Sequence, residues 1–202
     1  HVGFAAHRLA AGEHISLETG KRELCIVVLT GTVTVQAGEQ RWEAIGKRAS
    51  VFEDVSPYAV YVPLDTQVSI TAVSAAEVAL CSAPATTHRP ARLIEPASMT
   101  RSVRGKGANT RYVCDILPQT EEADGLLVVE VVTPSGHSSS YPPHKHDSDN
   151  IPTESSLEET YYHRLNPEQG FAYQRVYTDD RSIDEAMAVE NHDVVMVPRG
   201  YH

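Results

Sequence analysis

The chain is short of cysteine, of positive charge and of long apolar runs, and each shortage narrows what it does. Only three cysteines occur in 202 residues, Cys25, Cys81 and Cys114. They lie far apart inside apolar runs, so they read as buried thiols of a reducing, cytoplasmic compartment. Neither a disulfide framework nor a thiolate metal site is expected from them. Lys and Arg number 17 against 27 Asp and Glu, a formal net charge of -10. With no basic face to neutralise phosphates, a nucleic-acid partner is not expected. The acidity is spread along the chain and reads as a solvated surface. No apolar run approaches the roughly 18–20 residues of a membrane helix, so no membrane partner is expected, and no secretory signal stands at the start. Helical patterning is scarce as well: only residues 182–189, with Asp184, Glu185 and Met187, have that character.

What is present is strand. Residues 24–29 form an apolar run broken by Gly31, residues 32–35 alternate, and Ala37-Gly38-Glu39 turns the chain back into residues 41–44, a hairpin pattern. Further strands are expected at residues 51–52, 59–62, 68–73 and 78–81, at the short intervals of a sandwich or barrel. A Pro/Ala/Thr stretch over residues 83–90 reads as a linker, followed by a basic loop over residues 101–111. Strand patterns resume at residues 112–117, 126–132, 159–164, 171–178 and 194–197, and the nearly continuous apolar run 126–132 predicts a strand covered on both faces. The expected organisation is a β-domain over residues 1–84, a linker over 85–92 and a second β-domain over 93–202.

Chemistry concentrates in the second half. Pro142-Pro143-His144-Lys145-His146 is read as a strand, whose alternating side chains put the two histidines on one face and Lys145 on the other. The prolines stiffen the approach. Pro198-Arg199-Gly200-Tyr201-His202 delivers a third histidine after a turn. Between them Glu158 and Glu159 compete for a carboxylate position, and Glu159 is favoured because it shares a face with Tyr161 and His163. Three imidazoles and one carboxylate, His144, His146, His202 and Glu159, are a donor set for a borderline divalent metal. The first half has no such constellation and is expected to lack a metal site. The order His-x-His, Glu, Pro-x-Gly, His approximates the two cupin motifs, with a longer interval between His146 and Glu159 than the generic pattern.

Several runs are more specific. Asn109-Thr110-Arg111-Tyr112-Val113, the segment 127–134, Ser139-Ser140-Tyr141-Pro142-Pro143-His144-Lys145-His146-Asp147, Glu159-Thr160-Tyr161-Tyr162-His163-Arg164, the segment 174–180 and Val197-Pro198-Arg199-Gly200-Tyr201-His202 resemble the 5-deoxyglucuronate isomerase family of bacterial inositol catabolism. The resemblance covers most of the second half and fits the first more loosely. It implies an all-β bicupin of two double-stranded β-helix (jelly-roll-like) domains, and conversion of 5-deoxy-D-glucuronate to 5-dehydro-2-deoxy-D-gluconate. Through the related uronate isomerases it also implies metal ligation by His144, His146, Glu159 and His202.

Aldose–ketose isomerisation stores charge in an enediolate, which a divalent metal stabilises without redox change; zinc or manganese suits the role, and iron is a third option. Tyr161 and His163 are candidate proton carriers, with Glu158 and Tyr201 behind them. Arg175 is the first choice to grip the substrate carboxylate, with Arg111 and Arg199 as alternatives. The rival readings are a 4-deoxy-5-keto-uronate isomerase of pectin degradation, a cupin iron dioxygenase and a non-catalytic sugar-binding cupin. The expected partner is a small uronate, and a homo-oligomer is compatible with the chain.

Overall fold

Residues 1–202 are all described in the computed structural model, and nearly every regular element in it is a strand. The chain begins with β1 (Gly3–Leu9), β2 (His14–Glu18), β3 (Arg22–Thr30), β4 (Val33–Ala37) and β5 (Gln40–Ile45). It continues with β6 (Tyr58–Val62), β7 (Gln67–Ala72), β8 (Ala76–Pro84) and β9 (Arg92–Ile94). These nine strands make two antiparallel sheets, ordered β1-β8-β3-β6-β9 and β2-β7-β4-β5. On β4 and β7 burial alternates, so Val33, Val35 and Ala37 point inward together with Val68, Ile70 and Ala72. They meet Leu24, Ile26 and Val28 of β3, Val60 and Val62 of β6, and Val78 and Leu80 of β8 in one cluster. The core therefore lies between the two sheets, as period-two patterning requires. Gly31, at φ +76, is obligatory in the turn after β3: a Cβ there would sit 2.2 Å from the Ala75 carbonyl oxygen.

β3 is buried on its second face too. Glu23 is fully buried, and its carboxylate accepts hydrogen bonds from the Tyr61 hydroxyl (2.7 Å) and the backbone N–H groups of Asp124 (2.7 Å), Gly125 (2.6 Å) and Leu126 (2.6 Å). A third sheet, β10 (Thr100–Arg104), β11 (Arg111–Leu117) and β12 (Val128–Val132), is tied down by buried Arg48, whose guanidinium grips Glu130 at 2.8 and 2.5 Å and donates to the Leu29 carbonyl at 2.6 Å.

These ties explain why the division of the chain differs from the linker expected at residues 85–92. One compact unit comprises residues 1–104 and 112–132, the other residues 105–111 and 133–202. β9, which begins on the last residue of the expected linker, pairs with β6. Three other expectations are corrected. Val51 and Phe52 lie in a turn closed by the Glu53 carboxylate, which accepts from the N–H groups of Ala49 and Ser50. The run 126–132 is not covered on both faces: β12 is an edge strand, with Val129 and Val131 half exposed. The basic loop contains a strand, β10, whose Arg104 pairs with Asp115 of β11 at 3.2 Å.

The second unit holds β13 (Glu159–Tyr162), β14 (Ala172–Tyr177), β15 (Asp184–Val189) and β16 (Val194–Val197), paired as β13-β16 and β14-β15. β15 occupies the stretch with helical character. Six consecutive pairs with β14, from Ala172↔Val189 to Tyr177↔Asp184, outweigh the helix-forming bias of Ala186, Met187 and Ala188. Val176, Val189, Val195 and Val197 form this unit's core, packed with Tyr161, Ile183 and Met187.

Candidate metal centre

Four segments of the second unit converge at one end of its core. His144 and His146 occupy an extended stretch outside any regular strand, so the strand expected there is replaced by individually bonded backbone. The His146 carbonyl accepts from Leu157 N–H at 3.0 Å and the His144 carbonyl from His202 N–H at 3.1 Å. Alternation still governs the side chains. The two rings lie edge to face at 4.9 Å, while Lys145 turns away to pair with Asp179 at 2.5 Å and to cover the Tyr201 ring at 4.9 Å.

Glu159 opens β13 opposite Val197 of β16, and Tyr161, two residues on, faces the same way. Beyond β16 the chain turns at Gly200, whose φ of +92 and whose closeness to the Tyr177 carbonyl (2.5 Å for an added Cβ) admit no side chain. The Gly200 N–H donates to the Asp147 carboxylate at 2.6 Å, and Tyr201 exchanges backbone hydrogen bonds of 2.9 and 2.7 Å with Tyr177. The turn delivers His202 into the interior, 8% exposed, with its ring 4.6 Å from that of His144 and 5.8 Å from that of His146.

One ring nitrogen from each of His144, His146 and His202 lies within 4.8 Å of the others. The Glu159 carboxylate stands against this group, 3.2 Å from His146 Nε2 and 3.5 Å from His202 Nε2. His146 Nδ1 and His202 Nε2 are buried and find no hydrogen-bond partner. Buried polar atoms are seldom left so, and two in one cluster need a ligand. His202 Nδ1 lies 3.4 Å from the Gly200 carbonyl, so Nε2 is the nitrogen turned towards the carboxylate. Burial first, then the neighbouring His202 and His146, pushes the His144 pKa down and keeps its imidazole neutral. Three imidazoles and one carboxylate gathered this closely are the donor set of a divalent cation, so these residues fit one.

Around this group the other expected residues are placed unequally. Tyr161 donates its hydroxyl hydrogen to Glu159, and burial, reinforced by the Glu159 charge, holds its pKa far above the usual phenol value. It therefore works as a protonated hydroxyl and is a poor base. His163 stacks on Tyr161 at 6.4 Å, one step farther from the imidazoles, and its Nε2 lies 2.9 Å from Gln174 Oε1. With an amide oxygen as acceptor, Nε2 donates this bond. Arg175 is not brought to the site. Gln174 and Val176 face inward on β14, so Arg175 faces outward, where Asp184 binds it at 3.0 and 2.7 Å over the Tyr177 ring. Arg199 is engaged by Ser182 at 3.0 Å.

The sequence reading overlooked the groups that brace the ligands. Asp147 links the His-x-His segment to the Gly200 turn, and Glu154 accepts from the N–H groups of Asp147 (2.7 Å) and Ser148 (2.9 Å). Gln174 orients His163. Their only signal in the sequence is position: Asp147 directly follows a histidine of the pair, and Gln174 lies on a strand whose inward parity was unknown.

A family model described as the KduI/IolB family matches residues 1–202. The 5-deoxy-glucuronate isomerase of Geobacillus kaustophilus (strain HTA426) is 54% identical over 202 residues, spanning 100% of this chain and 73% of that protein. The 5-deoxy-glucuronate isomerase of Bacillus subtilis (strain 168) is 53% identical over 203 residues, spanning 100% of this chain and 75% of that protein. Among solved structures, an IolB-like protein from Salmonella typhimurium LT2 superposes with a TM-score of 0.96 at 52% identity, covering 100% of this chain and 76% of that one.

Proposed function

The chain belongs to the KduI/IolB family, and from that membership we infer that it is a metal-dependent 5-deoxy-glucuronate isomerase. The observation that carries the reading is identity above one half, over the whole chain, to relatives bearing that name. The converging imidazoles and carboxylate support it, because they supply what an aldose–ketose isomerisation needs. The KduI/IolB match and the all-β architecture support a bicupin, the metal-bearing domain being the one that contains His144 and His202.

The reaction moves one proton from C2 to C1 and another from O2 to O1, with no net oxidation. A divalent cation held by His144, His146, Glu159 and His202 would stabilise the charge that develops on the substrate oxygens. Three nitrogens and one oxygen suit zinc or manganese, with iron compatible. Glu159 is oriented for ligation by the hydrogen bond from Tyr161. Proton transfer between the two carbons is assigned to His163, which Gln174 holds through Nε2 beside Tyr161. No helix is long and apolar enough to cross a membrane. The substrate is a small sugar acid.

The test is an anaerobic assay of the purified full chain on 5-deoxy-D-glucuronate, following the product by NMR in deuterium oxide. The expected result is a ketose with deuterium incorporated at the former aldehyde carbon. Turnover only on 4-deoxy-5-keto-uronate, or only with oxygen, would move the protein to one of the other two chemistries.

A further inference from the structure

Three cations of the second unit are neutralised within it. Asp184 binds both Arg175 (2.7 Å) and Arg181 (3.4 Å), and Asp179 binds Lys145 (2.5 Å). Arg111 is held differently. It is half-buried at the start of β11, makes no ion pair, and has a single hydrogen bond, from NH1 to the Asn109 carbonyl at 3.2 Å.

Its position is built. The chain before it makes a tight turn at Gly105, φ +79, where a Cβ would sit 2.0 Å from the Asn109 carbonyl oxygen and 3.0 Å from Arg111 NH1. That turn is bound to the segment leading into the ligand histidines. Ser138 N–H donates to the Ala108 carbonyl at 2.8 Å, His137 Nδ1 lies 2.9 Å from the Thr110 carbonyl, and the Asn109 amide donates to the Tyr141 carbonyl. Three residues after Tyr141 comes His144. A half-buried guanidinium with no counter-ion, close to residues that fit a divalent cation, is unfavourable until an anion arrives.

We infer that Arg111 is the specificity-determining residue that receives the carboxylate of the sugar-acid substrate. The inference rests on the isomerase reading above. In a 5-deoxyhexuronate the carboxylate lies at the opposite end of the carbon chain from the aldehyde. A cation that recognises it belongs outside the ligand contacts, and the turn that carries Arg111 is bound to the segment leading into them. Its planar fork pairs with a carboxylate through two parallel hydrogen bonds. Arg111 thereby selects uronates over neutral aldoses of the same shape.

The experiment compares wild type, Arg111→Gln and Arg111→Lys on 5-deoxy-D-glucuronate and on its neutral carboxamide, with metal content measured for each preparation. For Arg111→Gln, kcat/KM on the carboxylate substrate is expected to fall about 100-fold, mostly through KM, the size of a lost charge-assisted pair. The carboxamide should be handled nearly as by wild type, metal content should be unchanged, and Arg111→Lys should recover part of the loss. An equal loss on both substrates, or no loss on either, would overturn the assignment while leaving the isomerase reading intact. A wild-type protein inactive on both would sink that reading and this inference with it.

Discussion

Replacing Tyr161 with phenylalanine removes one hydroxyl from the wall of the metal centre and almost no volume. The lost interaction is the hydrogen bond that Tyr161 donates to the Glu159 carboxylate, whose oxygens also face His146 at 3.2 Å and His202 at 3.5 Å. Hydrogen bonds to charged groups contribute about 1.5–3 kcal/mol net. Losing a group that orients a metal ligand weakens binding by about 10–100-fold, or roughly 1.4–2.7 kcal/mol. Both ranges point to zinc affinity about 30-fold weaker in Tyr161→Phe. The assay is competition for zinc against a chelating indicator, with circular dichroism to verify that the β fold is retained. Affinity within about twofold of wild type would show that Glu159 needs no support from Tyr161, and would remove the reason for assigning Tyr161 an orienting role.

Other consequences can be checked separately. Asp124 accepts from the N–H groups of Thr86 (2.6 Å) and Thr87 (3.3 Å), and the Thr86 bond leads in pulling its pKa down to about 2. Because the folded value lies below the unfolded one, its stabilisation is present above about pH 4 and is lost as pH falls towards 2. Asp124→Asn should flatten the stability–pH curve in that window in denaturant titrations, and an unchanged slope would refute the assignment. Removing one partner of the buried Arg48–Glu130 pair should cost about 3–5 kcal/mol. Chemical unfolding of Glu130→Ala measures this, and a loss below about 1 kcal/mol would contradict it. Burial pushes the Cys81 thiol up to about 12, so at pH 8 only about one molecule in 10,000 carries its thiolate. Iodoacetamide should therefore label Cys81 only after unfolding; labelling of the native chain at the rate of a free thiol would argue against that burial.

How much was legible in the sequence follows from the physics of each residue. The gathering of His144, His146 and His202 rests on features visible locally: prolines that keep the chain extended, alternation that pairs the histidines, and a Pro-x-Gly turn before the third. The facing sheets of the first unit were equally visible in the alternation of β4 and β7. What depends on pairing partners was not. The segment that became β15 carries helix formers, and only its register with β14 decides for strand. The exposure of β12 reflects an edge position that its apolar run conceals. Arg175 illustrates the parity problem: a shift of one residue sends a side chain to the other face of a strand, and the inward face of β14 is fixed by Val176 and Gln174. The unit boundary was hidden because Glu23 and Arg48 bind residues about a hundred and about eighty positions away.

Whether a metal at His144, His146, Glu159 and His202 supports isomerisation without redox change is decided by one series on a single preparation. Anaerobic turnover of 5-deoxy-D-glucuronate is measured as purified, after chelation to a metal-free state, and after return of one equivalent of zinc or manganese. A parallel series uses His202→Ala. In the wild type, activity should disappear with the metal and return with it; in His202→Ala it should not return. Undiminished turnover by the metal-free protein, or full recovery in His202→Ala, would contradict that role of the metal.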